Sequence, residues 1–189
     1  MKHKRNWIIG IALSATAAFV ALQTVNAPSQ ETTSSETDTP TAPIETFTPT
    51  FEGCYFNWAN YNDAELTEKL DNAVNELNAE AFATATLFGE DCIYGDGSKT
   101  FGVMETDFTV RLPVEDLTQH EAFGNWIKDV MQIVTEIPRE EIQGNYGFVE
   151  FWFEENETEH IVFRVSIPAY LTEATDKSGE ELFNMYYTP

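Results

Sequence analysis

The chain reads as an α+β protein: a four-stranded antiparallel sheet with two helices on one face, built as helix-strand-strand repeated twice. Three observations lead there. Two stretches with helical spacing each open on a capping signal, each is followed by a pair of strand-like segments, and a turn-forming tract divides each pair.

The first helix is signalled at Asn62, with Glu65 three residues on to complete a capping box. Leu66, Leu70, Ala73, Val74 and Leu77 then recur on one face, which places the helix over 63–79. β-Favouring residues follow from Ala81 to Phe88 and at Cys92-Ile93-Tyr94. Gly95-Asp96-Gly97-Ser98 supplies the positive-φ residues of a tight turn. Its likeness to a phosphate loop is superficial, because the spacing is wrong and the tract leads into a strand. From Lys99 onward, Met104, Thr106, Phe108, Val110 and Leu112 share one parity, and Glu105, Asp107, Thr109 and Arg111 the other. That is a half-buried strand.

A second capping box, Thr118 with Glu121, opens a helix whose apolar face is Phe123, Trp126, Ile127, Val130, Met131, Val134 and Ile137. Pro138 ends it, since the residue before a proline is pushed out of the helical region. The last strand pair can be registered from its pattern. Setting Val149 against Val165, Phe151 against Phe163 and Phe153 against Ile161 puts all six on one face around an Asn156-Glu157-Thr158 loop. The other face then opposes Glu150 to Arg164, Trp152 to Val162 and Glu154 to His160, and the unlike charges favour this register. Glu155 opposite Glu159 counts against it. The segment from Ser178 (SGEELFNMYY) predicts a short capped C-terminal helix, and the two halves share no residue-level identity.

Ahead of this domain, expected over 51–189, lie two segments of different character. Residues 1–27 join a basic flank (Lys2, Lys4, Arg5), an uncharged stretch from Trp7 to Val25 and the small-residue site Val25-Asn26-Ala27. This is an export signal. A helix over 7–25 would span about 28 Å, close to the roughly 30 Å of a hydrocarbon core, so a retained membrane anchor fits as well as a cleaved peptide. Pro28 would disfavour cleavage after Ala27. Residues 28–50 hold eight Thr, three Ser and four Pro, with no Gly, Lys or Arg. They predict a disordered acidic stalk, open to O-glycosylation.

Thirty-two acids against ten Lys and Arg give a net charge of −22. A nucleic-acid partner is disfavoured, because tracking phosphates needs clustered cations. Cys54 and Cys92 are the only cysteines. In an exported domain the even count predicts a disulfide, worth about 4 kcal/mol in the chain-entropy model.

The residues that carry chemistry assemble no recognised catalytic set. No cofactor motif occurs, and His3, His120 and His160 show no metal-ligand spacing. The acid clusters Glu90-Asp91, Glu140-Glu141 and Glu154-Glu155 suggest a carboxylate pair or a calcium site. Neighbouring acids on a strand face opposite ways, however, and the calcium-loop pattern is missing. Asn156-Glu157-Thr158 would be an exposed glycosylation acceptor at the hairpin tip in a eukaryotic secretory pathway.

What remains is aromatic. Phe51, Tyr55, Phe56, Trp58 and Tyr61 form a ring-rich leader to the domain, which either covers a sheet face or edge or serves as a sugar-stacking or peptide-binding platform. With Trp152, His160 and Arg164 it makes the candidate binding surface. The expected function is a non-enzymatic module displayed outside the cytoplasm (secreted, periplasmic or on the cell surface), binding a protein or glycan. The alternatives are a small extracytoplasmic hydrolase with acidic catalytic residues and a purely structural envelope protein.

Overall fold

The computed structural model describes residues 53–188; the expected export segment (1–27), the stalk (28–50) and Phe51 lie outside the described residues. The elements are β1 (Cys54–Asn62), α1 (Ala64–Leu77), β2 (Phe82–Tyr94), β3 (Lys99–Pro113), α2 (His120–Glu136), a 3-10 turn (Arg139–Glu141), β4 (Asn145–Glu154), β5 (His160–Ser166), α3 (Ile167–Glu173) and α4 (Gly179–Tyr186). The strands lie in chain order in one sheet.

The α+β class is as expected, but the sheet has five strands and is mixed. β1–β2, β2–β3 and β4–β5 pair antiparallel, whereas β3 and β4 run parallel. The connection decides this. A tight turn must reverse the chain, but the segment from β3 to β4 contains α2, which carries the chain back so that β4 starts at the same end of the sheet as β3. The fifth strand is the aromatic leader itself, which forms β1 at the edge. It carries no alternation to reveal it, because among the described residues its substantial packing is with β2 alone and no helix buries either of its faces.

The β4–β5 register is the expected one throughout, from Val149 opposite Val165 to Glu154 opposite His160. At the tip, Asn156 accepts the backbone N–H groups of Thr158 and Glu159, each at 3.0 Å. This closes the turn despite the like-charged Glu155 and Glu159.

Both helix starts differ from the capping signals. Asp63, not Asn62, caps α1 by accepting the N–H of Leu66 at 3.1 Å, and a carboxylate there also meets the positive end of the helix dipole. The α2 box does not form. Thr118 gives both its N–H and its hydroxyl to Asp116, each at 2.8 Å, and the helix begins at His120. The short α3, unexpected from the sequence, is capped by Ser166 and starts through Pro168. α4 follows Ser178 as expected, but the Ser178 side chain does not cap it; the N–H of Gly179 goes instead to Asn125 of α2 at 3.0 Å.

β2 begins before β1 ends its pairing, so part of its outer edge would lack partners. Side chains of α1 fill the gap. The N–H of Ala83 reaches Asp71 at 2.7 Å and that of Ala85 reaches Thr67 at 2.9 Å. The core lies between the helices and one face of the sheet: Phe108, Phe151 and Phe153 meet Leu70 and Val74 of α1, Ile127, Met131 and Val134 of α2, and Phe183 of α4. α2 and α4 approach so closely that a Cβ on Gly124 would lie 1.7 Å from the carbonyl oxygen of Gly179, which itself has φ +57°.

Candidate functional site

Strand parity assigns every sheet residue to one of two faces. Ala83, Ala85, Val110, Phe151 and Val165 point into the core, so their neighbours Phe82, Arg111, Trp152 and Arg164 point the other way. Among the described residues no helix covers that second face.

Register sets Phe82, Arg111, Trp152 and Val162 side by side across β2 to β5. The Arg111 guanidinium lies between two rings, 5.7 Å from the centroid of Phe82 and 4.4 Å from that of Trp152. It also makes two hydrogen bonds to Glu154, at 3.0 and 2.5 Å. The next row runs Thr84, Thr109, Glu150, Arg164. There Glu150 accepts from Arg164 at 2.8 Å and from the Trp152 indole at 2.9 Å, while the Arg164 guanidinium stacks on Phe148 at 4.2 Å. His160 borders Trp152, with ring centroids 5.3 Å apart. The result is a row of rings and guanidinium groups held rigid by charged hydrogen bonds.

At the other end of this face, Trp58 stacks over Phe88 at 5.3 Å. Phe56 and Trp58 are exposed, at 67% and 59%. The sheet thus brings Phe56, Trp58, Trp152, His160 and Arg164 onto one face, in two patches separated by β2 and β3. Tyr55 and Tyr61 do not join them. They have the opposite parity on β1, pairing with the inward side of β2 at Ile93 and Leu87. Tyr61 instead donates to Asp91 at 2.7 Å, and Lys99 from β3 bonds the same carboxylate at 2.8 Å. The Lys99 and Tyr61 hydrogen bonds hold the Asp91 carboxyl below its ordinary range, and the Lys99 ammonium is raised in return. With the Cys54–Cys92 disulfide, whose Cα atoms are 5.3 Å apart, this network fixes β1 to the β2–β3 hairpin.

Phe82, Phe88 and Phe148 belong to this surface but escape a sequence reading, whereas the β4–β5 pattern already sets Glu154 there opposite His160. The polar parity of Arg111 is legible; its stacking on Trp152 depends on the parallel β3–β4 register, which local pattern does not specify.

Two carboxylates on the open face are pushed apart. Burial, with repulsion from Glu105 and Glu150, raises Asp107 despite the Phe148 N–H and Arg164. At Glu150 burial also pushes upward, but the Arg164 and Trp152 hydrogen bonds outweigh it and leave the carboxyl below its ordinary value. The acid clusters disperse: Glu90 and Asp91 take opposite faces, Glu154 is held by Arg111, and Glu141 by Lys69 at 2.5 Å. Glu140 and Glu141 line a cleft of about 320 Å³ beside Asp63 and Glu65, where Asp63 is already engaged by α1 and Gln143. Among the described residues no group of three or more His, Cys, Asp or Glu is placed to hold a metal ion. Nor is any described helix long and apolar enough to cross a membrane. No family model matches the chain, and no curated protein or solved structure is significantly similar to it.

Proposed function

We propose that the chain is an exported, stalk-tethered binding module, and that the helix-free face of its sheet holds a protein partner rich in exposed Lys and Arg. The observation that carries this reading is the Phe82–Arg111–Trp152 stack beside Arg164 and His160. Aromatic and Arg side chains held rigid on an uncovered surface are what protein interfaces use as anchors. Charge indicates the partner. Residues 53–188 contain 27 Asp and Glu against seven Lys and Arg, a net of 7 − 27 = −20. Five of those seven cations are in ion pairs. The surplus carboxylates attract a basic surface and speed its arrival. The Cys54–Cys92 disulfide and the leader over 1–27 support a site of action outside the cytoplasm.

The test is affinity capture from an extract of the source envelope, using the full chain against its Phe82→Lys and Trp152→Ala variants. A basic protein retained by the native chain, released by salt and held about tenfold more weakly by either variant, is the expected result. Equal retention by all three chains would remove the sheet face from the proposal.

A second reading, a hydrolase, draws on the opposed shifts of Asp107 and Glu150, the pattern that separates an acid from a base. It requires hydrolysis of a glycoside or peptide panel by the native chain that Asp107→Asn abolishes. Turnover that survives this substitution, or none from the native chain, rejects it.

A further inference from the structure

The outer edge of β1 is unusual for a natural sheet. Its nine residues, CYFNWANYN, hold no charge and no proline in a chain where 22% of residues are charged. Its pairing with β2 is continuous, without a bulge. Charged residues, prolines, bulges and short length are the devices that keep edge strands from pairing with other chains, and β1 has none of them. Elsewhere the molecule does protect its edges. β5, at the far side of the sheet, is seven residues long and carries His160 and Arg164, and the unpaired start of β2 is capped by Asp71 and Thr67.

The backbone of β1 is set for pairing. Asp63 donates to the carbonyl of Ala85, which continues the β1–β2 ladder and fixes its phase. Tyr61, Ala59, Asn57 and Tyr55 therefore turn their amides toward β2, and Phe56, Trp58 and Asn60 turn theirs outward. Among the described residues nothing takes those outward groups, since β1 is the first strand of the sheet. The disulfide and the Tyr61–Asp91–Lys99 network hold the strand in place, so little ordering entropy is left for a partner strand to overcome.

We propose that β1 is a homodimerisation edge, pairing antiparallel with β1 of a second copy about a two-fold axis at Trp58 to make one ten-stranded sheet. Charge selects the second copy. Two domains of net −20 repel over most of their surfaces, and β1 is a strip where they can meet without opposing like charges. Register selects the axis. Trp58 is the midpoint of Cys54–Asn62, so centring there pairs all nine residues and sets Trp58 against its own counterpart, with Phe56 across from Asn60 on either side. The axis is perpendicular to the sheet, so the helix-free faces of both copies lie on the same side. The dimer does not depend on the function proposed above.

The test is the mass in solution of the full chain, in mild detergent, alongside Trp58→Lys and Asn60→Pro. Trp58→Lys places a cation opposite Glu90 within one copy but two cations face to face in the dimer. Asn60→Pro removes an outward amide and leaves the β1–β2 ladder intact. The expected result is a native dimer whose dissociation constant rises about tenfold or more in both variants, with their thermal unfolding little changed. A native monomer, or a dimer that both variants leave untouched, overturns the proposal. Amide exchange on the native chain decides the case even if a variant fails to fold. Protection at Phe56, Trp58 and Asn60 that fades on dilution supports pairing with a second copy. Rapid exchange at every concentration, or protection indifferent to dilution, as a cover from the same chain would give, rules it out.

Discussion

Arg111 and Trp152 are register partners across the parallel β3–β4 pair, and the guanidinium of one lies 4.4 Å from the ring centroid of the other. The same guanidinium is hydrogen-bonded to Glu154 and faces Phe82. One side chain thus joins three strands on a face that no described helix supports.

Replacing Arg111 by Lys keeps the charge but removes the planar fork that stacks and binds at two points. The variant should lose about 1 kcal/mol in urea unfolding, and a double-mutant cycle with Trp152→Leu should return a coupling of about 0.5–1 kcal/mol. A coupling indistinguishable from zero would mean that the stack is only proximity.

The disulfide closes a span of 38 residues between β1 and β2. Denatured chain should release no thiol without reductant and two with it. The Cys54→Ser, Cys92→Ser double variant should be less stable by about 4 kcal/mol in the chain-entropy model. Two titratable thiols in unreduced protein would refute the pairing.

Two aspartates should give pH dependences of opposite sense. Asp107 is raised above its ordinary 3.8, chiefly by burial, so its ionisation costs the folded state stability at neutral pH. That cost is relieved as pH falls through the raised value. Asp107→Asn should therefore be as stable as the native chain or more so at pH 7, with the advantage shrinking toward pH 3.8. Asp91 is lowered from 3.8 by its Lys99 and Tyr61 hydrogen bonds, so its contribution is present above that value and is lost as pH falls below it. Asp91→Asn should be destabilised at pH 7 and should converge with the native chain in strong acid. Parallel profiles for the two variants would contradict both assignments.

Gly124 marks where α2 meets α4. Gly124→Ala would force its methyl group against the Gly179 carbonyl, and α4 would have to move away, at a cost of about 1–3 kcal/mol. A urea midpoint unchanged from the native value would show that this approach is looser than the structure describes.

The parts legible in the sequence are those where side-chain pattern and burial coincide. Val149, Phe151 and Phe153 alternate with Glu150, Trp152 and Glu154 because one side meets α2 and α4 and the other does not, so the β4–β5 register follows from the pattern. The apolar stripes of α1 and α2 are legible for the same reason. β1 is hidden from this reading, since burial is the source of periodicity and no described helix covers either side of β1. The caps fail where a stronger local acceptor competes: Asp116 takes the groups of Thr118 that the α2 box would have used.

Local physics written into the chain determined the α+β class, most of the helices and hairpins, the strong negative charge and the pairing of its two cysteines. Tertiary structure alone decided that β3 and β4 run parallel, that Phe56 and Trp58 share a face with Trp152 and Arg164 while Tyr55 and Tyr61 do not, and that a charge-free strand stands at the edge. Helical and strand periodicity record which side of an element is buried. Which strand lies beside which, and in what direction, depends on the path of α2 between them, a long-range outcome that no short window of residues encodes.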